Sequence, residues 1–149
     1  MVKLFTVLTK LVFIANYGIS SVAFNNYLNH YSFGGWDSDG WTFVLAGGLV
    51  SGSLALLYEL HLYRTLEFWP KSLTRFLPRQ MFCGIAFITL GLMIALSITT
   101  TIDLLHSPSD VLWFVLIPLT TATYFPLLIP FGLVVGLVNG FLFRLGHTI

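Results

Sequence analysis

The most constraining feature of this sequence is the distribution of its basic residues around four apolar segments, at about residues 4–24, 41–60, 80–102 and 111–143. All seven Lys and Arg residues lie near the start of the first segment, between the second and third, or after the fourth. The other two links contain Asp but neither Lys nor Arg. Because basic residues are retained on the cytoplasmic side during insertion, this pattern predicts four transmembrane helices with both termini in the cytoplasm.

The composition indicates the same class of protein. Hydrophobic residues make up 56% of the 149 residues and charged residues only 9%. A soluble domain of this length needs a charged surface, which this chain does not have. We therefore predict an all-α integral membrane four-helix bundle that forms a single domain over residues 1–149. The net charge of +1 gives no reason to expect nucleic acid as a partner.

The fourth apolar segment is longer than one membrane crossing requires. Residues 111–143 contain no charged side chain, whereas about 20 residues suffice to cross the hydrocarbon layer. Three prolines interrupt it: Pro118, Pro126 and Pro130. Either one long helix kinks and starts outside the hydrocarbon, or the chain breaks into two segments between Tyr124 and Pro130. We favour a single crossing with a broken or bent outer section, because a complete hairpin would place Arg144 on the wrong side.

Small residues recur at helical spacing and predict close packing between helices. They are Gly48 and Gly52 in the second segment, Gly84 and Gly91 in the third, and Gly132, Gly136 and Gly140 in the fourth. Glycines four residues apart lie on nearly one line of a helix, where another backbone can approach closely. The neighbouring helix belongs either to this chain or to a partner. We expect Asn139, beside the third set, and Asn16 in the first segment to face other helices, because a buried amide needs a hydrogen-bond partner.

The link between the second and third segments predicts a short interfacial helix at residues 66–77. Lys71, Arg75 and Arg79 are spaced by four, whereas Trp69 and several apolar residues lie mostly on another face. Such a helix lies in the headgroup plane and binds anionic lipid headgroups or an acidic partner surface. In the alternative interpretation, the basic residues only determine topology and anchor the link at the interface.

The sequence contains no motif for catalysis, for a metal or for a cofactor. Nucleophile–His–acid, HExxH, CxxC and phosphate-loop patterns are absent. The four His residues lie at or beyond the ends of the apolar segments, so they cannot pair at a bundle centre to hold haem. Ionisable residues inside the membrane mark most transport pathways, and here Lys10 and Glu59 both lie near an edge. We therefore predict that the protein is not an enzyme and carries no cofactor.

One part of the chain resembles known families of small four-span membrane proteins. Residues 56–59 (LLYE) close the second segment, residues 75–79 (RFLPR) end the basic link, and a glycine-containing third segment follows. This order resembles the COPI-associated Golgi vesicle family and the light chain of flavocytochrome b over residues 41–100. The first segment and the long fourth segment depart from that pattern. The resemblance implies an accessory subunit or trafficking protein of eukaryotic endomembranes, in the endoplasmic reticulum or Golgi.

Three functions are compatible with these observations. The leading hypothesis is a non-catalytic accessory subunit that packs against a larger integral membrane protein and stabilises it. The alternatives are a self-associating vesicle or Golgi trafficking protein and a small channel or transporter formed by several copies.

The distribution of basic residues makes a direct prediction about topology. In a chain whose native Cys83 has been replaced, single cysteines at Ser38, Ser72 and Ser109 report which side each link occupies. We expect a membrane-impermeant reagent to label Ser72 from the cytoplasmic side and the other two positions from the opposite side. Labelling of Ser72 and Ser38 from one side would contradict the four-span arrangement.

Overall fold

The computed structural model describes residues 2–32, 38–64, 73–106 and 112–147. Within these ranges the chain is helical apart from one turn residue, and no strand occurs. The elements are α1 (Val2–Ser32), α2 (Ser38–Arg64), α3 (Leu73–His106), α4 (Leu112–Thr123) and α5 (Phe125–His147). The prediction of an all-helical protein is therefore confirmed for the described residues.

Four of these helices are long and apolar enough to cross a membrane. The apolar spans are Val7–Tyr31, Gly40–Tyr58, Phe76–Leu105 and Phe125–Leu142. At about 1.5 Å per residue, the shortest of them, with 18 residues, is about 27 Å long, close to the hydrocarbon thickness of about 30 Å. The chain is therefore a multi-pass membrane protein by length and composition, and the side on which its termini lie stays a prediction.

The four long helices pack in a ring in the order α1, α2, α3 and α5, and α1 also approaches α3 across the ring. Consecutive helices run antiparallel. On α1 and α2, Gly18 lies beside Gly48, while Gly40, nearer the start of α2, lies beside Asn29. The start of α1 and the end of α5 therefore lie at one end of the bundle, which we call the basic end. The short helix α4 packs against α3 and adjoins α5.

Two clusters of buried apolar side chains fill the ring. One includes Leu28, Val44 and Leu92, and the other, nearer the basic end, includes Phe13 and Phe76. In a membrane this burial provides little driving force between helices, because lipid tails are as apolar as leucine. Close backbone approach and interhelical hydrogen bonds therefore carry much of the association energy.

The first helix is longer than the sequence predicted. The sequence predicts a link at residues 25–40, because the tyrosines and tryptophans there favour the headgroup layer, but α1 continues to Ser32. The start of the link differs from the prediction because two amides of this stretch are not in solvent. Asn25 and Asn29 lie one turn apart and are buried against α2, where they contact Gly47 and Gly40.

The predicted interfacial helix at residues 66–77 is described only over its last five residues. Residues 65–72 lie outside the described residues, and residues 73–77 belong to α3, which continues past Pro78. Phe76 is buried in the core and Leu77 lies against Gly140, so these two residues pack into the bundle. Pro78 has no amide proton to donate to the carbonyl of Thr74, so α3 lacks one backbone hydrogen bond there. The interfacial role of residues 66–77 stays a prediction.

The fourth apolar segment consists of two helices that meet at Tyr124. The Tyr124 amide donates to the carbonyl of Thr121 at 3.1 Å, and the Tyr124 carbonyl accepts from the amides of Leu127 and Leu128. Pro118 and Pro130 lie within α4 and α5. Pro126 has no amide proton, so the carbonyl four residues earlier, at Ala122, loses its helical donor. That the prolines cause this break stays a prediction.

The closest approach between helices joins α3 and α5 at their glycines. A Cβ atom on Gly84 would overlap the carbonyl oxygen of Gly132 and lie 2.7 Å from the amide nitrogen of Gly136. A Cβ on Gly136 would overlap the Gln80 carbonyl oxygen, and one on Gly132 would lie 2.6 Å from the Ile85 Cα. These obstacles are backbone atoms, which cannot rotate away. The contact is therefore open only to glycine.

The second helix uses its glycines in two different ways. Gly48 faces α1, where a Cβ would overlap the Val22 side chain. Gly91 of α3 faces α2, where a Cβ would overlap the Ser51 hydroxyl and lie 3.0 Å from the Gly47 carbonyl. Gly52, in contrast, has nothing nearer than the Gly18 Cα at 3.8 Å, an ordinary van der Waals distance. Each glycine set that the sequence indicated thus has its neighbour within this chain.

These contacts predict opposite results for two identical substitutions. Gly84→Ala should destabilise the bundle by about 1–3 kcal/mol, because its Cβ overlaps the α5 backbone. Gly52→Ala should change stability by less than about 1 kcal/mol, because its Cβ fits and alanine favours helix. Unfolding in mixed detergent micelles measures both. Equal effects of the two variants would contradict the packing described here.

Candidate functional site: buried polar groups inside the bundle

The residues predicted to bind lipid or a partner are only partly described. Trp69 and Lys71 lie outside the described residues, and the structure describes the backbone but not the side chain of Arg75. Arg79 is exposed on α3, and its guanidinium carbon lies 5.9 Å from the centroid of the Tyr58 ring. That distance permits a cation–π contact. It places a cation at the end of the bundle where α2 ends and α3 begins.

Near the same end, polar side chains from all four long helices meet in the interior. The Asn16 amide nitrogen donates to the Asn139 side-chain oxygen at 2.7 Å and joins α1 to α5. The Gln80 amide nitrogen donates to the Tyr58 hydroxyl at 3.1 Å and joins α3 to α2. The Tyr17 hydroxyl lies near the Asn139 amide. We call Asn16, Tyr17, Tyr58, Gln80 and Asn139 the inner cluster.

A line of buried polar residues continues from the inner cluster along α1. Tyr17, Ser21, Asn25 and Asn29 are four residues apart, and each is at most 5% exposed. This spacing places them on one face of the helix, directed into the ring. We call these four residues the α1 polar stripe. It runs over about 18 Å, at 1.5 Å per residue, and so covers more than half of the hydrocarbon thickness.

Two hydroxyl groups in this region hold neighbouring helices together. Ser21 donates to the Gly47 carbonyl and Ser51 donates to the Phe87 carbonyl, both at 3.0 Å. These bonds link α1 to α2 and α2 to α3. They lie beside the Gly47–Gly91 contact, where the helix backbones are close enough for short side chains to bridge them.

Other buried polar atoms have no hydrogen-bond partner among the described residues. These atoms are the Tyr17 hydroxyl, the Asn25 Nδ2 and Oδ1, the Asn26 Oδ1, the Gln80 Oε1 and the Asn139 Nδ2. Asn26 is partly exposed, whereas the other four residues are fully buried. A buried polar atom without a partner costs about 1–3 kcal/mol, so these groups are the chemically exceptional part of the molecule.

Aromatic rings surround the inner cluster and fix its geometry. Tyr17 packs edge-on against Phe13 and Phe87, with ring centroids 5.4 and 5.1 Å apart. Tyr58 packs edge-on against the same Phe87 at 5.6 Å. The two tyrosine hydroxyls are thus held on rings that share one neighbour. The free thiol of Cys83 lies near the Tyr58 hydroxyl.

The hydroxyl groups along the rest of α3 do not join this polar interior. Thr89, Ser97 and Thr101 each donate to the carbonyl four residues earlier in the same helix, at 2.7–2.8 Å. Thr99 donates to the carbonyls of Ala95 and Leu96. Such bonds satisfy a hydroxyl within its own helix, so these residues do not indicate a path.

A separate, open surface groove lies at the far end of α1. It has a volume of about 290 Å³ and is lined by Ala23, Asn26, Tyr27, His30 and Tyr31, all of α1. The rings of Tyr27 and Tyr31 are 4.6 Å apart and both residues are exposed. Tyrosines of this kind favour the headgroup layer. The groove therefore suits an interfacial anchor at the end of α1 opposite its basic start.

The chemistry available in the bundle interior is neutral. The α1 polar stripe and the inner cluster consist of amides, hydroxyls and phenols, none of which carries a charge at neutral pH. No group of three or more His, Cys, Asp or Glu able to hold a metal ion occurs among the described residues. The arrangement suits hydrogen bonding to uncharged molecules.

Sequence reasoning found Asn16 and Asn139 but missed Tyr17, Asn25 and Gln80. The missed residues had a detectable signal, since Tyr17, Ser21, Asn25 and Asn29 recur every four residues. That signal was overlooked because Asn25 and Asn29 were assigned to a link. Gln80 was not recognisable from the sequence, because its partners lie on other helices.

Comparison with known proteins identifies no relative: no family model, no characterised protein and no solved structure matches this chain.

The Asn16–Asn139 bond predicts energetic coupling between α1 and α5. In a double-mutant cycle of Asn16→Ala and Asn139→Ala, we expect a coupling energy of about 0.5–2 kcal/mol, the range measured for polar pairs within membranes. Detergent unfolding of the four proteins provides the values. The control cycle pairs Asn139→Ala with Thr99→Ala, because Thr99 bonds only within α3. Equal coupling in both cycles would show that the amide pair is not specific.

Proposed function

We propose that this protein is a non-catalytic accessory subunit that docks through α4 onto a larger integral membrane protein and stabilises it. The observation that carries the proposal is the unused apolar surface of α4. In the same proposal, the basic residues between the second and third spans, among them Lys71, Arg75 and Arg79, bind anionic lipid headgroups at the cytoplasmic face. An endomembrane location belongs to the same proposal, on the basis of the family resemblance.

The glycine faces, which the sequence offered as a possible surface for a partner, are not what supports this function. The glycine faces were expected to need a neighbour, in this chain or in a partner. Gly84 of α3 contacts Gly132 and Gly136 of α5 inside the chain, so this glycine face is not available to a partner. We therefore place the docking surface outside the ring α1–α2–α3–α5.

Helix α4 is the element that lies outside the ring. Ile117 and Thr121 are buried on one side of it, and among the described helices it contacts only α3 and α5. On other sides, Val115 is 74% exposed and Leu119 is 63% exposed. Surface exposure alone does not distinguish a lipid contact from a protein contact. The length of the uncharged segment that contains α4 and α5 favours a protein contact.

The uncharged segment that contains α4 and α5 does not fit the bilayer alone. Residues 112–143 would extend about 48 Å as a helix, against a hydrocarbon thickness of about 30 Å. If α5 fills the membrane, α4 projects into water with its apolar side chains exposed. If α4 enters the membrane, the break at Tyr124 lies in hydrocarbon, where irregular backbone is tolerated only against protein or water. Tyr124 packs against the core of this chain on one side, and a partner over α4 would cover the other side in both arrangements.

The test is a set of matched tryptophan substitutions in a tagged chain extracted from native membranes with mild detergent. We expect Val115→Trp and Leu119→Trp to weaken the larger complex by about 5- to 100-fold, from overpacking of about 1–3 kcal/mol at the docking surface. The control is Leu49→Trp on α2, where Leu49 is 72% exposed and remote from α4. Blue-native electrophoresis gives the mass and amount of each complex.

Two outcomes would overturn this proposal. If the native chain migrates as a homo-oligomer, the self-associating trafficking protein or the oligomeric channel replaces the accessory subunit. If the α4 variants retain as much hetero-complex as the Leu49→Trp chain, α4 is not the docking element.

A further inference from the structure

We propose that the interior of the bundle binds water molecules at the unpartnered atoms of the α1 polar stripe and the inner cluster. Two sites are involved. One lies in the inner cluster, at Tyr17, Gln80 and Asn139, and the other lies farther along α1 at Asn25. The inference is independent of the proposed docking through α4.

The unpartnered atoms of each site are chemically complementary to water. In the inner cluster they comprise an acceptor on Gln80 together with the Asn139 amide nitrogen and the Tyr17 hydroxyl, which lie near each other but form no hydrogen bond of good geometry. At Asn25 both the donor and the acceptor of one amide lack a partner. Each site therefore offers donors and acceptors together, which is what water requires. Buried waters typically make about three hydrogen bonds to such groups.

The second argument is energetic. These residues are fully buried in a bundle whose outer surface contacts lipid, so bulk water does not reach them freely. At about 1–3 kcal/mol for each unpartnered atom, a dry interior would cost several kcal/mol, a large fraction of the stability of a typical domain. The protein nevertheless places amides at positions 25 and 80 where leucine or methionine has a similar shape. Bound water removes this cost without any change in the fold.

The surroundings of both sites limit the size and charge of the ligand. Neither site contains a charged group that would neutralise a buried ion, so an uncharged ligand is favoured. Asn25 lies directly against the backbone of Gly47, and the rings of Phe13 and Phe87 flank Tyr17. These close contacts leave little space, which favours the smallest ligand. Water is the small, uncharged ligand with both hydrogen-bonding functions.

The experiment measures magnetisation transfer from water to side-chain amides by proton-detected solid-state NMR of the intact native chain in lipid bilayers. We expect direct transfer at short mixing times to the side-chain amides of Asn25, Gln80 and Asn139. The backbone amide of Leu92, which is fully buried within α3, serves as the dry reference. Absence of transfer to all three side chains, as at Leu92, would overturn the proposal.

A stability measurement provides a second, independent result. Asn25→Leu replaces the amide by an apolar group of similar shape. With water bound, this variant removes a hydrated group and should not raise the unfolding midpoint. If no water were bound, the same variant would remove a buried polar group without a partner and should raise the midpoint. A clear rise in the unfolding midpoint would therefore overturn the proposal at Asn25. Ser21→Ala calibrates the assay, because it removes one direct hydrogen bond of 3.0 Å and should lower the midpoint.

Discussion

The fold depends first on the backbone contact between α3 and α5. Gly84 meets Gly132 and Gly136 so closely that even a methyl group on any of them would overlap main-chain atoms. A soluble bundle holds its helices together by removing apolar surface from water, but lipid removes that advantage. What remains is van der Waals contact at short range, which requires residues without side chains. The same close approach places Phe76 of α3 and Val135 of α5 in one buried cluster.

The same requirement for short-range contact explains where the buried polar groups lie. Where two backbones approach each other, as at Gly47 and Gly91, a serine hydroxyl can reach the carbonyl of the neighbouring helix. Amides such as Asn25 and Gln80 are larger, and parts of them have no protein partner. The polar interior thus combines groups that join helices with groups whose polar atoms have no protein partner among the described residues, and both kinds lie on the inward face of α1 or opposite it.

The proposed function follows from a difference between the four-helix ring and α4. A bundle whose glycine faces are filled internally does not need a partner in order to fold. Helix α4 differs because it has one packed side and leaves Val115 and Leu119 exposed, and because the segment it shares with α5 is too long for the bilayer. An accessory subunit with a self-sufficient core and one external docking helix can be stable alone and still bind its partner specifically.

The sequence by itself determined the class of this protein. The one-sided placement of Lys and Arg, the four apolar segments and the glycines spaced by four are local features, and they predicted four membrane helices, close packing faces and a long interrupted fourth segment. Asn16 and Asn139 were also predictable as inward-facing amides, because an amide in hydrocarbon requires a partner wherever that partner lies. Only the tertiary structure decided that Gly84 faces Gly132 and Gly136 within one chain, that α1 extends to Ser32, and that residues 73–77 belong to α3. Each of those outcomes depends on which helices become neighbours, and residue spacing along one helix carries no information about the helix it will contact.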